Sequence, residues 1–286
     1  MRQNGSVNNG LSADYQRHAS LVFDRIRRHI NQLSKEPKSN EVHRFRTNSR
    51  RVEALVCEFA PNSRNKQKLL KALSRLRKKA GKLRDLDVQI QFLENLKIPD
   101  RQDHRGQLLN ILNSERNRRS RKLPRKFSPE TVGKLRIRLR RASSAVRLKG
   151  VDPFARAIAR LPKLEARDLN EKSLHLFRIA AKGSRYVAEL VNSPEANSFI
   201  AELKKAQDAI GEWHDVLKLK EQAEKLFGRV HDSALVAALN NIAHARFRRA
   251  SNAALEAMAN LSKLSSTSPK APPRRASARV EATAVA

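Results

Sequence analysis

Cysteine, glycine and aromatic residues are scarce in this chain, and acidic residues are heavily outnumbered. Cys57 is the only cysteine, so no intrachain disulfide can form and a reducing compartment is compatible. Aromatic residues make up 5% of the chain and there are nine glycines in 286 residues. Strand and hairpin signals are therefore almost absent, and every long segment has helical spacing instead. No apolar run approaches the roughly 20 residues that cross a bilayer, and the opening MRQNGSVNNGLSADY has no hydrophobic signal segment. The expectation is an all-α, cytoplasmic protein with no membrane span. No Walker loop, G-x-S-x-G, H-E-x-x-H or paired-cysteine zinc pattern occurs either.

What the chain has in excess is positive charge. There are 60 Lys and Arg against 28 Asp and Glu, a formal charge of +32. Such an imbalance opposes compaction by self-repulsion and makes a polyanion the default partner: nucleic acid, a membrane surface or inorganic polyphosphate. With 40% hydrophobic residues, the middle of the chain can still build a core.

The charge is organised by a repeat. His43, Arg46 and Arg50 precede Gly81-Lys82-Leu83-Arg84-Asp85; His175, Arg178 and Lys182 precede Gly211-Glu212-Trp213-His214-Asp215. Both copies read H-x-x-R-x-x-x-[R/K] and then G-x-x-[R/H]-D, with 38 positions from His to Gly in the first and 36 in the second. A repeat that keeps its polar residues while its surroundings diverge suggests a two-fold site. At about 100° per residue, with His43 at zero, Arg46 falls near −60° and Arg50 near −20°, while Phe45, Val52, Leu55, Val56 and Phe59 lie between about 120° and 220°. The second copy groups His175, Arg178, Lys182, Arg185 and Tyr186 within about 100° of one another, with Phe177, Ala180, Val187 and Val191 behind. Each half thus presents one cationic helix face away from its core.

Punctuation sets the helix boundaries. Ser12 is expected to cap a helix to about Leu33, Asn40 the next, which Pro61 ends, and Ser63 a third that kinks or breaks at Gly81, placing Asp85 and Asp87 in a new first turn. Ile98-Pro99-Asp100 reads as a turn. Ser128-Pro129-Glu130 is a helix start, followed later by Gly150, and Asp152-Pro153 opens a short helix cut by Pro162. Asn170, Ser193-Pro194 and Gly228 bracket the later helices, with a last one from about His231 to Leu264. Roughly four helices per copy result, the count of a bundle. Residues 1–12 and 266–286, polar or rich in Ser, Pro and Ala, are expected to be disordered.

A lone histidine is usually a satisfied structural residue. His43 and His175 instead sit on cationic faces, where an imidazole can donate to phosphate. A solvated helix face mixes charge signs to form i,i+4 pairs, and these stripes carry no acid among their motif positions. Asp85 and Asp215, beside Arg84 and His214, are expected to orient an Arg or Lys by a salt bridge rather than to act as acid or base. The stretches RNRRSRKLPRK, from Arg116, and KLRIRLRR, from Lys134, alternate basic and apolar residues, so part of them serves core packing with snorkelling stems. The pairs His214-Asp215 and His231-Asp232 resemble those of all-α metal phosphohydrolases, but no first shell of further ligands can be assembled around them.

VHRFRTNSRRVEAL with GKLRDLDV, and LHLFRIAAKGSRYVAELV with AQDAIGEWHDVLKL, closely resemble the two halves of a CHAD domain, the conserved histidine α-helical domain. The resemblance covers roughly residues 13 to 265. It implies two four-helix bundles, 13–150 and 151–265, related by a pseudo-two-fold axis around a basic central pore or cleft that binds inorganic polyphosphate. It also implies a binder rather than an enzyme, often found on polyphosphate granules; no cofactor and no metal-binding residues are expected, and whether a divalent metal assists is left open. The ligands carried over by position are His43, Arg46, Arg50 and Arg51 from the first half and His175, Arg178, Lys182, Arg185 and Tyr186 from the second, supported by Arg84, Asp85, His214 and Asp215. Glu53 and Gly183 stand where the family usually has a basic residue, and His214 stands opposite Arg84. The rival readings are a weak, charge-driven nucleic-acid binder and a metal-dependent phosphohydrolase.

Overall fold

The computed structural model describes residues 3–35 and 38–267. Every regular element in it is helical: α1 (Gln3–Lys35), α2 (Ser39–Phe59), α3 (Arg64–Asn95), α4 (His104–Lys122), α5 (Pro129–Ala145), α6 (Pro153–Ala159), α7 (Glu171–Ala188), α8 (Pro194–Phe227) and α9 (Ala234–Thr267), with 3-10 turns at Pro124–Phe127 and Ala166–Asp168. None of the described helices is long and apolar enough to cross a membrane.

Most starts follow local capping. Ser63 accepts from Lys66 N, Ser128 from Thr131 N, Asp152 from Phe154 N and Ala155 N, and Ser193 from Ala196 N. Asn170 and Ser173 form a reciprocal capping box at the head of α7. Gly228, at φ +83°, ends α8 in a backbone region that L side chains avoid.

Five expectations are corrected. The first helix begins at Gln3, not after Ser12, so residues 3–12 are helical; a helix once nucleated gains one hydrogen bond per added residue and needs no cap at Ser12. The second starts at Ser39, with Asn40 inside its first turn and no side-chain cap. Residues 266 and 267 continue α9, while the rest of the expected tail lies outside the described residues. Most consequentially, α3 passes through Gly81 without a break, so Asp85 and Asp87 sit in mid-helix. The first half also holds five α-helices rather than four, because α4 precedes α5.

The apolar faces gather into two clusters, and both draw on the two halves. The larger unites Phe23 and Ile26 of α1, Phe45 and Leu55 of α2, Leu73 of α3, Leu139 of α5, Phe177 of α7, Leu203 of α8 and Ala254 of α9. The smaller joins the far ends of α3 and α8, through Ile90, Leu93, Val216 and Leu219, to Leu108 and Leu112 of α4 and Leu235 and Leu239 of α9. Along α3 the change from one cluster to the other falls between Leu83 and Leu86, and along α8 between Trp213 and Val216. Both motif segments therefore lie where the two cores meet. There α2 packs on α7 and α3 on α8, which brings the cationic faces of all four helices to one place.

Candidate functional site

The faces line a single cavity of about 620 Å³. From α2 come His43, Arg46 and Arg50; from α3, Arg77, Lys78, Lys82, Arg84 and Asp85; from α7, His175, Arg178, Lys182 and Tyr186; from α8, His214, Asp215 and Lys218. Nine Arg and Lys side chains and three histidines thus share the lining with two carboxylates and one tyrosine ring.

The repeat of arginine with glycine has a steric cause. A Cβ on Gly81 would collide with the Arg46 guanidinium, and one on Gly211 would stand 3.2 Å from Arg178 Nη2. Each motif arginine lies flat against the facing helix where a side chain is missing. The helix tolerates glycine at a cost of roughly 0.5–1 kcal/mol, and the expected kink is absent because the glycine serves the neighbour, not the backbone. Asp85 pairs with Arg46 at 3.7 Å, as expected of an orienting carboxylate. Asp215 forms no ion pair within 4 Å among the described residues, and burial, opposed by Arg178 and Lys218, raises its pKa. Arg84 donates instead to Ser39 Oγ at 3.3 Å, and the rings of His175 and His214 lie 5.6 Å apart.

Two residues read as ligands lie outside the lining. Arg51 donates to Glu189 at 2.6 and 3.3 Å, Arg185 lies 3.7 Å from the same carboxylate, and both guanidinium carbons approach the Tyr186 ring, at 5.4 and 5.1 Å. Arg51 is held charged because Glu189 outweighs its burial. This knot fixes Tyr186, which does reach the cavity. Glu53 is likewise accounted for: it accepts from Arg77 at 2.9 Å, while Arg77 also reaches Ser49 Oγ at 3.1 Å.

Arg77, Lys78, Lys82 and Lys218 were missed as site residues from the sequence. The signal was present: Ser74, Arg77, Lys78, Gly81, Lys82 and Asp85 follow the i, i+3, i+4 spacing of one helix face, and Lys218 stands one turn beyond His214.

Burial, and after it the crowding of like charges with few acids, depresses the bases. Burial first, then Arg178, Arg50, Arg46 and Arg185, brings the Lys182 ammonium down to about 7. Burial, Lys218 and Arg178 bring His214 to about 4. His43 is lowered by burial and by Arg84, Arg46 and Lys182, and Arg46 and Arg50 are lowered from the usual arginine range chiefly by burial. Free of ligand, the cavity disfavours protonation of Lys182, His43 and His214; an anion within it would oppose each of these shifts.

The model of the CHAD domain family matches residues 17–224. The chain belongs to that family. Among solved structures it is similar to the CHAD domain from the plant Ricinus communis, with a TM-score of 0.60 at 16% identity over 90% of this chain and 92% of that one. It is also similar to PptA from Streptomyces chartreusis, with a TM-score of 0.56 at 14% identity over 90% and 99%. At these identities the likeness describes the fold. No curated protein matches the sequence. Within this CHAD chain the departure at Gly183 has a local reason, since a Cβ there would meet Arg160 Nη2 at 3.0 Å, and Arg160 bridges to Glu58 at 2.5 Å.

Proposed function

We propose that this CHAD chain binds inorganic polyphosphate in the four-helix cavity without transforming it, and that this binding associates it with polyphosphate granules. The observation that carries the reading is the lining itself: nine Arg and Lys donors and three histidines with a single tyrosine and no Trp or Phe. Polyphosphate offers phosphoryl oxygens and no base, so its site needs many guanidinium and ammonium donors. Single-stranded nucleic-acid sites add stacking platforms, above all Trp, Tyr and Phe, of which this lining has only Tyr186. The matched pairs Arg46 with Gly81 and Arg178 with Gly211 support a pseudo-two-fold axis through the cavity, relating half-repeats 13–150 and 151–265. The phosphohydrolase reading is the weaker one. Asp232 accepts from Arg229 N in the turn after α8, so the second His-Asp pair does not converge with His214 and Asp215.

Titration with long-chain polyphosphate at several salt concentrations, with DNA at matched phosphate as competitor, tests the reading. Six or more phosphate contacts give a log-log salt slope of about −4 or steeper, at roughly −0.7 per contact by analogy with single strands. A slope near −1, or DNA competing on equal terms, would count against it. Released orthophosphate in the presence of divalent metal would show an enzyme.

A further inference from the structure

The basic stretch from Lys134 onward takes no part in the cavity. It forms α5, whose Leu135 and Leu139 are buried while Arg136 and Arg140 face outward one turn apart. Together with Arg27, Arg28 and Asn31 of α1 they line a second, open groove of about 410 Å³ that contains no carboxylate. It shares no residue with the cavity. The apolar faces of α1, α2, α3 and α5, through Ile26, Phe45, Leu73 and Leu139, meet in the core that separates the groove from the cationic faces of α2 and α3.

Both basic stretches are neutralised only in part within the fold: Lys134 pairs with Glu130 at the start of this one, and in the other Arg121, Lys122 and Arg125 form no ion pair among the described residues. Arg116 pairs with Asp87 at 2.8 Å, and Arg118 and Arg119 both pair with Glu115 at 2.5 Å. In the groove Arg27 pairs with Asp24 at 2.8 Å. Arg136 donates only to the neutral Asn31 Oδ1, at 2.7 Å, and among the described residues Arg28, Arg136 and Arg140 form no ion pair with a carboxylate. Like charges one turn apart destabilise a helix that carries them unpaired. Every cation of this groove is an arginine, whose planar fork grips phosphoryl oxygens two at a time. No aromatic ring lines it, and its one apolar lining residue is Ile137, 47% exposed.

We propose that the α1–α5 groove is a second site for inorganic polyphosphate, so that one protein molecule bridges two chains, or two stretches of one chain, and condenses the polymer. This rests on the cavity reading above. Two anion sites on opposite sides of a core cannot both follow one short segment, and on a long polymer they act as a cross-link whose strength multiplies with valency.

The test compares full-length wild type with three double charge reversals, Arg136→Glu with Arg140→Glu (groove), Arg46→Glu with Arg178→Glu (cavity), and Arg64→Glu with Arg101→Glu. The last pair is exposed, lines neither site, and lowers the net charge equally. Circular dichroism checks each fold. Calorimetry with short-chain polyphosphate should show two classes of site in wild type and the control, and one in the groove and cavity variants. Light scattering with long-chain polyphosphate should need about a hundredfold more protein in the groove variant, the lower end of the avidity that a second linked site supplies. A groove variant that keeps two sites and condenses the polymer like the control overturns the inference. So does a groove that condenses duplex DNA and not polyphosphate. A cavity variant that keeps both sites would instead remove the polyphosphate assignment of the cavity.

Discussion

Lys182 carries a measurable conflict between stability and binding. Its ammonium is half-buried among Arg46, Arg50, Arg178 and Arg185, and its pKa falls from 10.5 to about 7. Each unit of such a shift corresponds to about 1.4 kcal/mol, so holding the charged form in the folded state costs at most about 5 kcal/mol, and about 4 at pH 7, where half the molecules have shed the proton. The sign follows from linkage. The unfolded chain binds this proton more tightly, so the cost is fully present below pH 7, and stability returns as pH rises from about 7 towards 10.5. Lys182→Met keeps the volume and removes the charge. We expect the variant to be more stable than wild type at pH 7 by about 1–4 kcal/mol, the range found when buried ions give way to apolar groups. Urea unfolding at pH 7 and again at pH 9.5 should show the gap shrinking by up to about 3 kcal/mol, since by then most of the wild-type cost has gone. Saturating polyphosphate should narrow the gap at pH 7 as well, because the ammonium then has a partner. A variant less stable than wild type at pH 7, or a gap that does not change with pH, would refute the argument that Lys182 is an uncompensated charge held for a ligand.

Two further perturbations read the same cavity. Gly81→Ala places a Cβ in the seat of the Arg46 guanidinium, whereas Gly211→Ala meets Arg178 Nη2 at 3.2 Å; the obstructed atoms are side-chain ends, so thermal melts should show the fold intact. Polyphosphate affinity should then fall about tenfold for Gly81→Ala, the worth of one charge-assisted contact, and less for Gly211→Ala, and equal affinities would show that Arg46 does not need that seat. Binding should also tighten in two stages as pH falls. The first lies between about 10 and 7, as Lys182 takes up its proton; the second lies below 6.5, as His43 and His214 charge and Asp215, whose pKa is raised, loses its charge. A bound anion raises the pKa of each base, so uptake begins at the bound-state pKa and the gain levels off only below the free-state one, about 4 for His214. His43→Gln with His214→Gln should flatten the lower stage and leave the upper one, with Asp215→Asn measuring the carboxyl share. A lower stage that survives all three substitutions would mean that none of these groups faces the ligand.

What the sequence disclosed and what it hid divide along the range of the forces involved. Caps act over three residues, so Ser63, Ser128, Asp152, Asn170 and Ser193 could be read directly, and each makes its hydrogen bond. The start of α4 was invisible because Asp103 begins it with a left-handed backbone, φ 52°, and no side-chain cap. Opposed apolar and cationic faces were legible on α2 and α7, whose burial patterns are regular. On α3 and α8 they were not, because these helices pass from one core to the other, and the apolar face changes partners part-way along. That hid the Arg77, Lys78 and Lys82 stripe.

Tertiary partners far apart in sequence decide the remaining cases. Arg50 and Arg51 are neighbours on α2, yet Arg50 faces the cavity and Arg51 turns to Glu189, 138 residues away. Helical spacing sets Arg51 about 100° further round α2 than Arg50, but only the tertiary partner Glu189 shows where that turn leads. Gly81 makes the point in reverse. Read locally, a glycine between two helical stretches is a break, because its backbone freedom costs helix stability; in the fold it is the space into which Arg46 lies. The second copy contained the correction, since Gly211 recurs at the same place relative to Arg178 and lies within a run with no other break signal. A local reading assigns each glycine to its own backbone. The paired recurrence of Arg with Gly across two diverged halves assigns it to an inter-helix contact, and the motif is then a statement about how α3 and α8 seat the cations of α2 and α7.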